Sequence, residues 1–236
     1  MTLISNLTQL SPPPSTTPPP SNWPEVEGIL GVRLPSDYKE IADTYGPGTF
    51  CGYLHLYHPA GATEWVSLTG PMPAAVRTQL EQTRAQGDPS APCDPQDLFA
   101  IGVTDNGEYL FWITDPTNAP DTWHVAVNEA RGTRWYTHDG NLTDFLTTVL
   151  SGRATIPMFP EDFLDHGPVF TPARAAPHQP AATQPHHPAT EPNTTLHTQD
   201  VRTRARDHGY NVPERGRVPA DNIDAGKKSN PPAETR

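Results

Sequence analysis

The chain has 236 residues and 30 of them are proline, whereas proline averages about 5% of globular proteins. Because proline fits neither a helix interior nor a central strand, a large share of this chain is excluded from regular structure. The longest unbroken apolar run, residues 109–113, is far shorter than the roughly 20 residues of a membrane helix. Residues 1–10 also lack the features of a signal peptide, so we expect a soluble, cytoplasmic protein with no membrane partner.

The charge is divided unequally along the chain. Residues 1–170 contain 7 Lys and Arg against 20 Asp and Glu, a net charge of −13, whereas residues 201–236 contain 8 against 5, a net charge of +3. An acidic body followed by a basic tail predicts two different kinds of partner. The two cysteines, Cys51 and Cys93, form no C-x-x-C pair, so neither a disulfide framework nor a cysteine zinc site is indicated.

In chain order, residues 1–22 are rich in Pro, Ser and Thr, a composition that favours extended polyproline conformations and offers little to pack. We therefore expect a disordered N-terminus. Structure should begin at Trp23, where Ser21 or Asn22 can cap a short helix that runs through Glu27.

A second helix is indicated from residue 36 onward, because apolar residues recur at helical spacing and form one face. Its buried face is predicted to consist of Tyr38, Ile41, Ala42 and Tyr45. The sequence Gly46-Pro47-Gly48 should end it, since glycine tolerates a left-handed cap and proline cannot continue a helix.

The rest of the central region is predicted to form mainly β-strands, with two further helices. Strands are predicted at 49–51, 53–57, 98–104, 108–114, 122–128 and 133–138, and helices at about 73–86 and 142–150. Asp105-Asn106-Gly107 should form a hairpin turn, and Asn141 should cap the last helix. Residues 153–170 are expected to pack back over the domain. The fold class is therefore α+β, with a mainly antiparallel sheet and helices packed on it over residues 23–170.

Enzymatic chemistry is not indicated. The motifs G-x-S-x-G, H-E-x-x-H and G-x-x-x-x-G-K-[ST] do not occur. His138-Asp139-Gly140 has the composition of a metal or triad fragment, but it lies where a strand meets a capped helix, so we interpret it as a turn. We expect no catalytic, cofactor or metal site, and a catalytic domain of unrecognised type is the least favoured alternative.

The central region resembles a known family. The matching positions are Trp23 with Glu27, the run 34–38, Tyr45-Gly46-x-Gly48-x-Phe50, Asn106-Gly107-Glu108-x-Leu110-x-Trp112, Asp115-Pro116, Trp123 and Phe145-Leu146. In their order and spacing, residues 23–152 resemble the SUKH superfamily, also called the SMI/KNR family. The resemblance implies a non-enzymatic protein-binding domain. Many bacterial members are similar to immunity proteins (antitoxins), and a fungal relative is a regulatory interaction hub.

Each of these motif residues also has a purely structural interpretation. Trp112 and Trp123 fit a core, and Asn106-Gly107 fits a hairpin turn. The acidity of the domain allows two interpretations, which are solubility and a negative face that steers onto a basic protein such as a nuclease. The sequence identifies no residue that contacts this partner.

The composition changes twice after residue 170. Residues 171–197 consist mainly of Ala, Pro, Thr, Gln and His, which is typical of a flexible linker. Within 198–236, Gly209-Tyr210 precedes Arg215-Gly216-Arg217 and Pro219-Ala220. In this spacing residues 200–228 resemble the C-terminal DNA-binding domain of Lsr-type nucleoid-associated, histone-like proteins of actinobacteria. The resemblance implies a small helical tail in which two helices flank an AT-hook-like loop for the minor groove of AT-rich double-stranded DNA.

The physics of the minor groove agrees with this role. Narrow A-tract grooves are strongly negative and attract the guanidinium groups of Arg215 and Arg217, while Gly216 lets the backbone approach closely. Phosphate contacts are expected from Arg202, Arg204, Arg206, Lys227 and Lys228. Three residues depart from the family, where the core between the helices normally has an aromatic, an aliphatic and a tyrosine residue: Arg204, Asn222 and Gly226.

Two functions therefore remain open. The first is a SUKH-type module for toxin immunity or regulation, tethered to a minor-groove DNA-binding tail. The second is a nucleoid-associated or transcription-regulatory DNA-binding protein whose acidic domain recruits a protein partner.

Overall fold

The computed structural model describes residues 3–88 and 90–173, which fall within one compact unit, Met1–His178. The helices are α1 (Ser5–Leu10), α2 (Trp23–Leu30), α3 (Ser36–Tyr45), α4 (Met72–Ala85) and α5 (Leu142–Leu150). The strands are β1 (Gly48–Phe50), β2 (Leu54–Leu56), β3 (Leu98–Thr104), β4 (Tyr109–Ile113), β5 (His124–Asn128), β6 (Trp135–His138) and β7 (Phe170–Pro172). Short 3-10 helices lie at Glu64–Val66, Pro95–Asp97 and Pro120–Thr122.

The seven strands form one antiparallel sheet in the order β6-β5-β4-β3-β2-β1-β7. Helices pack on this sheet, so the predicted α+β class is confirmed. Trp112 on β4 contacts Tyr38 of α3 edge-to-face, with ring centroids 5.1 Å apart, and His138 on β6 contacts Phe145 of α5 at 5.7 Å. Because side chains alternate along a strand, these contacts define one core face under α3 and α5.

The predicted face of α3 is confirmed, since all four of its apolar residues are buried. Gly46 ends the helix with a φ of +69°. Trp112 and Trp123, each 1% exposed, are core residues as their structural interpretation required. Asn141 caps α5 by accepting a hydrogen bond from the Asp144 N–H at 3.0 Å, and Gly107 adopts the positive φ (+94°) expected of the β3–β4 turn.

The expectation of a disordered N-terminus is wrong for residues 3–11. Ile4 and Leu7 of the first turns are 2% and 0% exposed, and α1 packs against α5. The Tyr45 hydroxyl donates to the Ser11 carbonyl at 2.6 Å. The proline content of the whole segment concealed Ile4, Leu7 and Leu10, whose three-residue spacing places them on one face of a short helix.

The chain is also fixed where it returns to the domain before α2. Asp43 of α3 accepts hydrogen bonds from the Ser21 N–H at 3.0 Å and from the Trp23 indole N–H at 2.8 Å. Neither Ser21 nor Asn22 caps α2 through its side chain, contrary to expectation. The helix also continues past Glu27 to Leu30, because Gly31, with a φ of +69°, supplies the left-handed end.

The domain extends past its predicted C-terminal limit of residue 170. Phe170 packs on Tyr45 and Phe50 at 4.9 Å, and β7 pairs with β1 through Thr171 and Pro172. The predicted start of the linker at residue 171 is therefore too early. A strand of only three residues is too short to show a periodic pattern in the sequence. From residue 174 onward the predicted linker and DNA-binding tail lie outside the described residues.

Residues 153–169 lie against the domain, where Ile156 and Phe159 are buried and Phe159 contacts the Tyr53 ring at 5.4 Å.

Among residues 3–88 and 90–173, no helix has both the length and the apolar character needed to cross a membrane.

The first prediction concerns the N-terminal helix. Leu7→Ala should lower the free energy of unfolding by about 2–5 kcal/mol, because it leaves a cavity at a fully buried site. Leu3→Ala is the matched control, since Leu3 is 61% exposed in the same segment, and it should change stability little. Urea unfolding of both variants measures the difference, and equal small effects would show that α1 does not belong to the core.

The second prediction concerns the β1–β2 turn, where Cys51 and Gly52 have φ values of +55° and +63°, in the left-handed region that favours glycine. Gly52→Ala should destabilise the domain by about 1 kcal/mol, because a Cβ disfavours this conformation even though the surrounding space is open.

Gly28→Ala provides the opposite control for Gly52→Ala. Gly28 lies inside α2, also with open space around it, so alanine there should stabilise by about 0.5–1 kcal/mol. Urea unfolding should give effects of opposite sign, and effects of the same sign would contradict the backbone argument.

Candidate protein-binding site at one end of the sheet

The antiparallel strand order sorts the connections between strands to two opposite ends of the sheet. The tight β1–β2, β3–β4 and β5–β6 turns lie at one end, which we call the turn end. The β2–β3, β4–β5 and β6–α5 connections lie at the other, which we call the loop end. The register proves the grouping, because Leu98 pairs with Ile113, Ile113 with His124, and Val125 with His138.

Six aspartates from three separate connections meet at the loop end. They are Asp94 and Asp97 before β3, Asp115 and Asp121 between β4 and β5, and Asp139 and Asp144 between β6 and the first turn of α5. Asp97 is half-buried and the other five are exposed. Positions spread over fifty residues of sequence therefore contribute to one surface.

Backbone hydrogen bonds hold two of these carboxylates in place. Asp121 accepts from the Ser36 N–H at 2.6 Å and the Ser36 hydroxyl at 3.2 Å, so it lies at the N-terminus of α3. Asp94 accepts from the Gln96 N–H at 3.1 Å and pairs with Arg84 of α4 at 2.9 Å. The carboxylates of Asp94 and Asp121 thus have defined positions relative to α4 and α3.

Asp139 and Asp144 each lie beside a histidine of the sheet. The His124 Nδ1 atom is 3.3 Å from Asp139 Oδ1, and the His138 Nε2 atom is 4.0 Å from Asp144 Oδ2. The Asp139 side chain is nevertheless fully exposed, and that of Asp144 is 66% exposed. Both carboxylates can therefore meet a cation that arrives from solvent.

The thiol of Cys93 responds to the negative field at this end. Burial, together with the neighbouring Asp97, Asp94 and Asp115 carboxylates, raises the pKa of Cys93 to about 11. A negative neighbour opposes formation of a thiolate, so the thiol stays protonated near neutral pH.

A buried carboxylate lies among the elements that carry this surface. Asp37 is 4% exposed and accepts hydrogen bonds from the Thr143 N–H at 2.9 Å and the Tyr38 N–H at 2.8 Å. Burial raises the pKa of Asp37, and these hydrogen bonds oppose the rise. Asp37 joins the N-terminal turns of α3 and α5, so its role is to position the two helices rather than to contact a partner.

Two family models match the chain. The model described as SMI1-KNR4 cell-wall, a SUKH family, matches residues 20–146, which is more than half of the chain. The chain belongs to this SUKH family. The model described as the Lsr2 DNA-binding domain matches residues 195–225. Both resemblances found in the sequence are thus confirmed, and no curated protein or solved structure matches significantly.

The protein therefore has two parts, a SUKH domain of the protein-binding type and an Lsr2-type DNA-binding segment. The loop end belongs to the SUKH domain. The seven DNA-binding residues predicted from the sequence lie outside the described residues: Arg202, Arg206, Arg215, Gly216, Arg217, Lys227 and Lys228. Lys227 and Lys228 also lie beyond the matched range.

The turn end of the SUKH domain also carries carboxylates, and cations accompany some of them, as Arg84 accompanies Asp94 at the loop end. Arg134 forms an ion pair with Glu129, and Arg131 is exposed in the same turn. His55 lies 2.7 Å from Asp105. Residues 153–169, which we call the extension, contact Tyr53 near this end. The extension adds Glu161, Asp162 and Asp165 on an irregular segment, and these three carboxylates serve as a comparison for the loop end.

The sequence predicted the acidity of the SUKH domain but not its location. The signal that was available is topological, since successive hairpins of an antiparallel sheet return alternate connections to the same end. Combining the predicted strands with the aspartates at 94–97, 115–121 and 139–144 would have placed them together.

Proposed function

We propose that the SUKH domain is a non-enzymatic module that binds a basic protein through its loop end. The DNA-binding segment would hold the protein on AT-rich double-stranded DNA, so that it acts in the cytoplasm at the nucleoid. The observation that carries the proposal is the meeting of six aspartates from three connections at one end of a rigid sheet.

The physical role of this surface is electrostatic. Charges clustered on one side of a protein raise the rate at which an oppositely charged partner meets it, and they suppress partners of the same charge. The net charge of −13 over residues 1–170 acts at long range, whereas exposed carboxylates such as those of Asp115 and Asp139 act at contact.

The partner class that fits best is a basic toxin, for example a nuclease. An enzyme that binds nucleic acid needs a cationic surface to neutralise phosphates, and an acidic module that covers this surface would inhibit it. The protein would then be an immunity protein, or antitoxin. A regulatory interaction with another basic protein uses the same chemistry.

A groove beside β1, β2 and β7 carries few side chains that could act as an acid or a base. Its volume is about 260 Å³, and its lining contains one titratable side chain, His55. The contacts between histidine and aspartate in the described part of the chain are isolated pairs, with no nucleophile placed against them.

The match to the Lsr2 DNA-binding domain favours a second candidate function, that of a nucleoid-associated or transcription-regulatory protein. In this case DNA binding is the principal activity and the SUKH domain recruits a partner to the bound site. This candidate function requires that the chain still binds DNA after residues 1–170 are deleted.

The third prediction tests the loop end. Asp115→Asn combined with Asp139→Asn should weaken binding of a basic partner, captured with the full chain and then purified, by about tenfold. The loss should appear mainly in the association rate at low salt, because screening removes it as ionic strength rises. Surface plasmon resonance at two salt concentrations measures both rates.

The matched control is Asp162→Asn combined with Asp165→Asn, which removes the same charge from the extension near the turn end. It should reduce the association rate slightly and leave dissociation unchanged. Equal losses in both double variants would mean that only net charge matters, and an acidic partner or a salt-independent rate would contradict the proposal.

For the DNA-binding segment we propose that Arg215 and Arg217 enter the minor groove on either side of Gly216. Arg202, Arg206, Lys227 and Lys228 would contact phosphates. The match over residues 195–225 supports a DNA-binding role for the part of the segment that holds Arg202, Arg206, Arg215 and Arg217, and Lys227 and Lys228 follow that part directly. A guanidinium group senses the narrow, negative groove of A-tracts without reading a unique base pattern.

The fourth prediction separates groove from phosphate contacts. Arg215→Ala with Arg217→Ala should abolish the preference for AT-rich over GC-rich duplex, whereas Lys227→Ala with Lys228→Ala should weaken both duplexes about equally. With about four phosphate-equivalent contacts, the slope of log K against log salt should be roughly −3 to −4. Fluorescence anisotropy on two duplexes of equal length measures these quantities.

Each double variant removes two positive charges, so net charge cannot explain a difference between them. If the unsubstituted chain binds both duplexes with equal affinity, the segment binds DNA through its positive charge alone and does not select AT-rich sequence. Absence of DNA binding would contradict the DNA-binding part of the function.

A further inference from the structure

The two edges of the sheet differ in the backbone groups that they present. At the β6 edge, the Glu129 N–H donates to the Arg134 carbonyl at 2.9 Å. Because hydrogen-bonded and non-hydrogen-bonded pairs alternate in an antiparallel ladder, Tyr136 and His138 bond to β5. The N–H and C=O groups of Trp135 and Thr137 therefore point away from the sheet.

The β7 edge is shorter and is interrupted. The Cys51 N–H donates to Val169 at 2.7 Å, and the Ala173 N–H donates to Pro47 at 2.8 Å. By the same alternation, Phe170 and Pro172 present their backbone outward. Pro172 has no N–H, so this edge cannot supply a continuous ladder to another strand.

Although β6 is only four residues long, it lacks the proline and charged side chains that natural edge strands also use to prevent pairing. The sequence Trp-Tyr-Thr-His contains no proline, lysine or carboxylate. Thr137 is exposed. Within residues 3–88 and 90–173, no hydrogen bond to the outward backbone groups of Trp135 and Thr137 is present. The Trp135 ring is held against Phe111, with centroids 5.2 Å apart, which fixes the edge.

The two ends of β6 differ in charge, since the exposed Arg131 and Arg134 precede the strand and carboxylates follow it. Asp139 follows the strand directly and its side chain is fully exposed, and Asp144 lies close by on α5 with a 66% exposed side chain. An added strand that carries Lys or Arg would place a cation opposite these carboxylates. An acidic strand would meet repulsion at the same place.

We propose that an extended, basic segment of the protein partner pairs with β6 as an eighth strand of the sheet. Its backbone bonds to Trp135 and Thr137 and its cation lies at Asp139. Main-chain hydrogen bonds supply affinity in this mode of recognition, and side chains supply specificity. This inference rests on the proposed function, and it names the contact that the loop end alone does not define.

The test uses the full chain, labelled with 15N, and two short peptides of alternating Thr and Val, one with Lys at its N-terminal end and one with Lys at its C-terminal end, so that one of them places its Lys beside Asp139. Titration should shift the amide signals of Trp135 and Thr137 and slow their hydrogen exchange, and should leave the exchange of Tyr136 unchanged. For the peptide that binds better, an analogue with Glu in place of its Lys should bind at least tenfold more weakly. Methylation of the peptide nitrogens that face β6 should abolish binding.

Variants of the protein test the same contact from the other side. Thr137→Pro removes an outward N–H and leaves the hydrogen bonds to β5 in place, so it should weaken peptide binding by about threefold to tenfold. Thr137→Lys, a substitution that needs no change of backbone, should also weaken binding. Thr171→Lys is its control, because Thr171 is exposed on the other edge strand, and it should have no effect.

Several results would overturn the inference. These are no binding of either basic peptide at millimolar concentration, shifts confined to β7, or shifts at β6 that depend on protein concentration, which would indicate pairing of two copies of this chain. A partner whose binding requires Asp115 and Asp139 but tolerates Thr137→Pro and Thr137→Lys would exclude strand pairing and leave the proposed electrostatic function intact.

Discussion

The hydrogen-bonded antiparallel ladder is the constraint on which the rest of this domain depends. Its alternation sends Trp112 and Val125 to the core face under α3 and α5. Its reversal of direction at each turn brings Asp94, Asp115 and Asp139 to one end. The same alternation leaves the backbone of Trp135 without a partner among the described residues. Core, charged surface and open edge are therefore three consequences of a single pairing scheme.

Local periodicity was sufficient to predict much of this scheme. The face of α3 and the β3–β4 hairpin follow from spacing and turn chemistry, because their burial and their φ values are local requirements. Ile4 and Leu7 were missed, since a short apolar helix next to a proline-rich run contributes little to composition. The β7 strand was missed for another reason, as its place beside β1 is fixed by the packing of Phe170 on Tyr45, a contact between distant parts of the sequence.

The sequence was sufficient to predict that the candidate site is acidic, but not where on the domain it lies. Net charge is a property of composition, whereas a surface requires knowledge of which loops are neighbours in space. Asp121 illustrates the difference, because its position is set by Ser36, eighty-five residues earlier in the chain. The carboxylate of Asp37 shows the converse, since it counts toward the acidity of the sequence but is buried between two helices and contributes little to the outer surface.

The opposite charges of the two parts have a consequence for the proposed function. DNA collects basic proteins around itself by release of counterions, so a tail that binds DNA would hold the acidic domain where such partners are concentrated. Tethering of this kind raises the effective concentration of one binding site near another without any new contact. The acidic domain would at the same time be repelled by the phosphates and would not occupy the DNA itself. Long-range charge would then govern how often a basic partner meets the domain, and a short-range contact such as the β6 edge would govern how long it stays.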